Sequence, residues 1–181
     1  RRQWKREGTA YSFSELEELA LQAEPLRSFI DPDAPEFTPP GDIPGRVREF
    51  CRRTGQPVPE TVGQVVRCLY ESLALKYRFA LEQLGRATGQ KFSCLHIIGG
   101  GTQAKLLCRM TADSIALPVI TGPVEATALG NILIQLVALG ELKNLDEGRA
   151  LIARTEPVQR YEPEQTALWN RAYETYQTIL N

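Results

Sequence analysis

The feature that most constrains this chain is an apolar run that ends in three consecutive glycines. Residues 94–98 read CLHII, the glycines occupy positions 99–101, and residues 104–113 are compatible with a helix. Glycines at a strand-to-helix turn let a ligand approach the backbone because no Cβ stands in the way. The following helix presents unpaired N–H groups and the positive end of its dipole. This pattern predicts a site for a nucleotide or another phosphorylated ligand, and a tight connection without a ligand is the alternative.

Helical periodicity and capping signals place this turn among alternating helices and strands. Ser12 and Ser14 each precede a glutamate by three residues, which is the spacing of a capping box. Apolar residues at spacings of three and four predict the main core helix over residues 59–87. The remaining expected elements are a short strand at 26–30, a proline-rich loop at 31–44, a helix that ends before Gly55, strands at 92–98 and 118–121, and helices at 103–116, 125–139, 145–153 and 163–180.

The order of these elements predicts an α/β fold. Strand, helix, strand and helix follow one another after residue 92, which favours parallel strands covered by helices. A chain of 181 residues can bury a sizeable core. The helix at 125–139 is almost wholly apolar, so we expect it to be buried on more than one face.

Composition and charge argue against several classes of function. The formal net charge is −1, and basic residues form no stripe with aromatic residues, so we expect no binding of nucleic acid. No apolar run approaches the ~20 residues of a membrane-spanning helix, so we expect no membrane partner. The cysteine spacings match no zinc site, and buried free thiols in a reducing cytoplasm are the expectation for Cys51, Cys68, Cys94 and Cys108.

The sequence shows no complete catalytic constellation and no metal site. Walker A, GxGxxG and HExxH motifs are absent, and no serine or cysteine has a visible histidine partner. We expect His96 to be a sheet residue rather than a base. We also expect structural roles in turns and helix ends for the acidic residues that could hold Mg²⁺, which are Asp31, Asp33, Asp42, Asp113 and Glu125.

The beginning of the chain has the composition of the last turn of a helix. Four of the first six residues are basic, and Gly8 follows them. Cations in the last turn and a glycine just after it are common signals of a helix end. We therefore expect this chain to be a fragment of a longer protein, and a processed or recombinant N-terminus is the alternative.

Several segments together resemble the C-terminal domain of the FGGY carbohydrate kinases. The matching pieces are IIGGGTQ, LLCRMTAD and GPVEATALGNI, which lie between residues 95 and 142. Upstream segments such as VVRCLYESLALKYRFALEQL are also similar to that family, so the resemblance covers about residues 4–161. Within the family, the chain is most similar to the members that phosphorylate L-rhamnulose.

The resemblance implies two actin-like, RNase H-like α/β domains with ATP and a sugar in the cleft between them. It implies an aspartate of the missing N-terminal domain as the catalytic base, and Mg²⁺ that accompanies the nucleotide. The glycine turn then belongs to the adenosine side of the ATP site, with Gly100 as the closest contact. The implied nucleotide-binding residues are Gly99, Gly100, Gly101, Gln103 and Ala104. The family commonly has asparagine or serine at the position of Ala104. Because alanine has no polar side-chain atom, this chain can offer no side-chain hydrogen bond to the nucleotide there.

The expected function is therefore a share of an ATP-dependent sugar kinase. We expect residues 1–162 to be part of the kinase C-terminal domain, and 163–181 to form a helix that packs on the same domain. ATP, ADP and a sugar are the expected partners, and L-rhamnulose is the expected acceptor. Another ketose or polyol, and a non-catalytic nucleotide-binding or scaffolding module, are the alternatives, and oligomeric state stays open. We expect the fragment alone to be inactive because the base and most Mg²⁺ ligands are missing.

Overall fold

The computed structural model describes residues 1–180, which form eight α-helices and a three-stranded sheet. Residue 181, the last of the predicted segment 163–181, lies outside the described residues. The helices are α1 (Arg2–Arg6), α2 (Phe13–Gln22), α3 (Ile43–Arg53), α4 (Val62–Thr88), α5 (Lys105–Ile115), α6 (Ala126–Ala138), α7 (Leu145–Thr155) and α8 (Thr166–Gln177). The strands are β1 (Leu95–Ile97), β2 (Val119–Thr121) and β3 (Arg160–Tyr161).

The sheet confirms the predicted parallel pair and adds a strand that was not predicted. Strand β1 runs parallel to β2, with Leu95 opposite Val119. Strand β3 pairs with the other edge of β2 in the antiparallel direction, with Tyr161 opposite Val119. Helix α5 connects β1 to β2, so the unit is a strand–helix–strand crossover of the kind that parallel strands require. The observed strand β1 is shorter than the strand predicted at 92–98.

Helix α4 is the central core element, as its periodicity predicts. Thr61 and Gln64 form a capping box at its start, and Gly89 ends it with φ +69°. Its main packing partners are α2 on one side and α5 on the other. Helix α8 covers α4 and α5 with the buried aromatic side chains of Trp169, Tyr173 and Tyr176. Because α4 contacts both helices that flank the glycine turn, it fixes their relative position.

The predicted strand at 26–30 is wrong, since the segment forms no regular element. Leu26 has φ +54°, which is outside the extended region of a strand. Side chains rather than a neighbouring strand accept the backbone hydrogen bonds of this segment. Glu71 accepts from Leu26 N at 2.9 Å, and Ser72 accepts from Ile30 N at 2.9 Å. These long-range contacts to α4 replace a strand ladder.

The prediction that the apolar helix α6 is buried on more than one face is also wrong. Leu133 is its only buried residue within the described part of the chain, whereas Ile132 and Ile134 are exposed. Helix α7 packs against it, and a Cβ on Gly148 would come within 3.1 Å of the Leu133 side chain. Leu129, Leu136 and Val137 are half-buried, so the described elements cover α6 only in part.

The cysteines are unpaired in the described residues, in agreement with the expected free thiols. Cys51, Cys68 and Cys108 are buried, and Cys94 is half-buried. The thiols of Cys51 and Cys68 lie together in the core between α3 and α4, where a hydrogen bond from Cys68 lowers the pKa of Cys51.

Candidate functional site

The glycine turn is a 3-10 segment over Gly99–Gln103, and hydrogen bonds fasten it to the loop after β2. Gly99 N donates to Pro123 O at 2.9 Å, and Gly122 N donates to Ile97 O at 2.8 Å. Inside the turn, the Thr102 hydroxyl donates to Gly99 O at 2.8 Å. Because these bonds pair the backbone with neighbouring loops, the turn has a defined shape without a ligand.

The three glycines of the turn differ in how strictly the fold requires glycine at their positions. Gly99 has φ +78°, a left-handed conformation that favours glycine. A Cβ on Gly101 would lie 3.6 Å from the Ile97 side chain, which is an ordinary contact. A Cβ on Gly100 would meet nothing within 4 Å, and its φ is not positive. Folding therefore does not require glycine at position 100, whereas close approach of a ligand would.

Gly100 opens onto a cavity of about 250 Å³ between α2, α4 and the turn, which we call the glycine-turn cavity. The structure brings three of the predicted nucleotide-binding residues into its wall, whereas Gly99 and Gly101 lie outside the lining. The lining residues are Phe13, Ser14, Glu17, Tyr70, Gly100, Gln103 and Ala104. Small-molecule sites usually span about 300–1,000 Å³. The cavity therefore has room for part of a nucleotide rather than the whole of it.

A second cleft of about 400 Å³ lies on the other side of the turn. Gln103 lines both cavities, so its side chain stands on the ridge between them. The far wall of this cleft comes from the loop after β2, including Gly122 and Glu125, and from residues before β3, including Gln159. The two openings make the turn accessible from both sides.

The start of α5 faces a carboxylate from another helix. Its N-cap position is Ala104, which makes no side-chain cap hydrogen bond. Glu17 of α2 lies near this end, where burial raises the pKa of its carboxyl while the Leu106 backbone N–H and Lys105 oppose the shift. A negative charge here offsets the positive end of the helix dipole. The N-terminus of α5 is therefore better suited to a hydrogen-bond donor than to a phosphate group.

Sequence reasoning missed Glu17 and the other residues that α2 and α4 contribute to the cavity. Two overlapping capping boxes were visible, and the structure uses only the first. Ser12 accepts from Glu15 N at 3.1 Å, and Glu15 accepts from Ser12 N at 2.6 Å. Since one helix has one N-cap, the second pair, Ser14 and Glu17, is free to face the cavity. The second capping pair in the sequence, Ser14 and Glu17, was therefore the signal that could have indicated these cavity residues.

Most of the acidic residues with expected structural roles have partners within the protein. Asp113 accepts from Glu164 N at 2.6 Å and from Gln165 N at 3.1 Å, just before α8. Asp42 accepts from Gly45 N at 2.9 Å as the N-cap of α3. Asp31 and Asp33 both form ion pairs with Lys76. Glu125 is the N-cap residue of α6, and its side chain makes no capping hydrogen bond. His96 lies on β1, as predicted, and its side chain is exposed.

Across positions 1–180, no group of three or more His, Cys, Asp or Glu side chains could hold a metal ion. The described residues therefore offer no all-protein cage for the Mg²⁺ implied by the resemblance. No helix within the same residues is long and apolar enough to span a membrane.

Comparison with protein families gives a match over most of the chain. The family model described as "FGGY family of carbohydrate kinases, C-terminal domain" matches residues 1–139. Rhamnulokinase of Bacteroides thetaiotaomicron is 47% identical over 162 residues, which are 90% of this chain and 33% of that protein. Rhamnulokinase of Enterococcus faecalis is 41% identical over 165 residues, with 89% and 33% covered. The chain thus spans about a third of the length of these curated relatives.

Solved structures show the same fold at lower identity. The crystal structure of Plasmodium falciparum glycerol kinase with ADP matches with TM-score 0.60 and 20% identity, and covers 91% of this chain and 34% of that chain. Xylulose kinase of Rhodospirillum rubrum matches with TM-score 0.55 and 17% identity, with 94% and 38% covered. At this identity the likeness concerns the fold, and it agrees with the predicted α/β class.

Proposed function

Because this chain belongs to the FGGY family of carbohydrate kinases, we propose that it supplies a nucleotide-binding wall of an ATP-dependent sugar kinase. The proposed reaction transfers the γ-phosphoryl group of ATP to L-rhamnulose and yields ADP and L-rhamnulose 1-phosphate. The choice of L-rhamnulose rests on rhamnulokinases that are 37–47% identical over 89–96% of this chain.

The open space above Gly100 is the observation that carries the nucleotide assignment. A flat group such as a purine can contact the Gly100 backbone directly because no side chain intervenes. Gln103 can donate or accept through its amide from the ridge of the turn. Ala104 contributes its small side chain and its backbone. In this proposal Gly99 and Gly101 shape the turn, and the adenosine end of ATP enters the glycine-turn cavity.

The remaining chemistry of the reaction requires groups outside these 181 residues. Phosphoryl transfer needs a base for the acceptor hydroxyl and charge stabilisation by Mg²⁺. We place the base, the sugar site and the Mg²⁺ ligands in the additional length that the relatives possess. Residues 1–162 form part of the C-terminal domain in this proposal, with 163–181 as an attached helical segment. The proposed location of the kinase is the cytoplasm.

A coupled ATP-consumption assay on the full-length product of the reading frame tests the proposal. The acceptors are L-rhamnulose, L-fuculose, L-xylulose, D-xylulose and glycerol, and the 181-residue chain serves as the control. We expect selective turnover of L-rhamnulose by the full-length protein and none by the chain alone. Preference for another acceptor would assign the protein to a different kinase of the family, and no turnover of any acceptor would leave a non-catalytic module. Turnover by the purified 181-residue chain would refute the division of labour.

A further inference from the structure

Glu17 is an ionisable residue of the glycine-turn cavity that the proposed phosphoryl transfer does not use. It lies on α2, about one helical turn after Phe13, so both side chains are on the same side of that helix. Both line the cavity together with Gly100 of the turn. Glu17 is half-buried, whereas Glu18 beside it is exposed.

Among the described residues, no side chain forms an ion pair with the Glu17 carboxylate. Across positions 1–180 it accepts no side-chain hydrogen bond of normal geometry, although Lys105 and the Leu106 N–H lie close enough to act on it. Glu15, on the same helix, is by contrast occupied by the Ser12 N–H. The carboxylate has two oxygens that can each accept hydrogen bonds, and the Leu106 N–H engages only part of this capacity, so a ligand that donates a hydrogen bond can still bind here.

The charge of Glu17 decides which part of a nucleotide it can contact. Phosphate oxygens are acceptors and carry negative charge, so the carboxylate repels them. The hydroxyl groups of ribose are donors, and acidic side chains hold them at other nucleotide-binding folds. Phe13 is 68% exposed, and the Arg1 guanidinium lies over its ring at 4.4 Å from the centroid, so contact between Phe13 and the base uses the remaining surface of the ring. A base that contacts Phe13 and Gly100 would bring its ribose towards Glu17, because all three residues line the same cavity.

We propose that the Glu17 carboxylate accepts a hydrogen bond from the 2′-hydroxyl of the nucleotide ribose and thereby selects ribonucleotides over 2′-deoxyribonucleotides. This inference rests on the proposed nucleotide site and names a specificity-determining residue within it. The acceptor is charged, and hydrogen bonds to charged groups are worth more than neutral ones. Loss of the 2′-hydroxyl should therefore weaken binding by about 10-fold or more in the unmodified protein.

Isothermal titration of the full-length protein with ADP and with 2′-deoxy-ADP tests this assignment. The variants are Glu17→Ala, which removes the acceptor, and Glu17→Gln, which keeps a neutral one. Glu18→Ala is the matched control because it removes the same charge from the exposed side of α2. We expect Glu17→Ala to weaken ADP by about 10-fold while leaving 2′-deoxy-ADP nearly unchanged, so that the two nucleotides bind alike. Glu17→Gln should give an intermediate ratio, and Glu18→Ala the unmodified ratio.

The ratio of the two affinities separates the possible failures. If Glu17→Ala weakens both nucleotides equally, or if the ratio is unchanged, the contact with the 2′-hydroxyl is refuted while the nucleotide site stands. If the unmodified protein binds neither nucleotide, the proposed function and this inference fail together. Thermal unfolding of each variant checks that the fold is kept. If Glu17→Ala does not fold, Glu17→Gln decides the test: its preference for ADP over 2′-deoxy-ADP must be smaller than that of the unmodified protein.

Discussion

Replacement of Gly100 by alanine separates a ligand-binding role of the glycine turn from a folding role. The added Cβ would have no heavy atom within 4 Å, and the residue has no positive φ. The free energy of unfolding should therefore stay within about 0.5 kcal/mol of the unmodified value. In the nucleotide complex the same methyl group would occupy the space of the ligand. An overpacked contact costs about 1–3 kcal/mol, so the Kd for ADP should rise roughly 5-fold to 150-fold.

The neighbouring glycines provide the controls for this substitution. Gly99→Ala places a side chain at φ +78° and should cost about 1–2 kcal/mol of stability. Gly101→Ala brings a Cβ to 3.6 Å from Ile97, an ordinary contact, and Gly101 lies outside the cavity lining. We therefore expect Gly101→Ala to change both stability and ADP affinity little.

The assays are chemical denaturation and titration with ADP, each carried out on the full-length protein and the three variants. Two results would refute the reasoning. The first is unchanged ADP affinity in Gly100→Ala, which would mean that no ligand approaches this position. The second is a loss of stability in Gly100→Ala as large as in Gly99→Ala, which would mean that folding itself requires glycine there.

Two further predictions concern the core and the pH dependence of stability. Gly63→Ala should destabilise the fold by about 1–3 kcal/mol, because its Cβ would clash with the Leu19 carbonyl oxygen. In the 181-residue chain, where α6 is exposed, a Cβ on Gly130 would meet nothing within 4 Å, so Gly130→Ala should be neutral or stabilising. Denaturation curves of that chain that rank the two substitutions alike would contradict this. Burial, and then the hydrogen bond to Glu82, raises the pKa of Tyr173 from 10.0 to about 12. The unfolded chain ionises this phenol first, so stability should fall as pH rises from about 10 through about 12, and Tyr173→Phe should flatten that slope. An equal slope in the variant would rule out Tyr173 as its source.

The sequence predicts those parts of the fold that local signals specify. Helix α4 carries apolar residues at helical spacing, so the predicted bounds of 59–87 lie close to the observed Val62–Thr88. The turn after β1 is equally visible, because glycines follow an apolar run directly. The parallel pairing of β1 and β2 follows from the crossover that α5 provides.

Long-range contacts account for the errors. Strand β3 has two residues, too few to show an alternating pattern. The segment at 26–30 is apolar like a strand, yet Glu71 and Ser72 of α4 accept its backbone hydrogen bonds. The position of Glu17 in the cavity depends on how α2 packs across α4, and no local pattern encodes that packing. The lining of the candidate site is therefore predictable on the side of the glycine turn and not on the side of α2.

Helix α6 shows how composition and the described structure can disagree for a physical reason. Its sequence has the apolar surface of a buried helix, but Ile132 is 51% exposed and Ile134 is 56% exposed. Contiguous exposed apolar surface usually marks a face that another surface covers. We expect other segments of the full-length kinase to pack on it, which agrees with the proposal that this chain forms only part of the enzyme. In the full-length protein an Ile134→Cys thiol should then react with a maleimide much more slowly than a Glu49→Cys thiol on the exposed side of α3, and equal rates would show that α6 faces solvent there too.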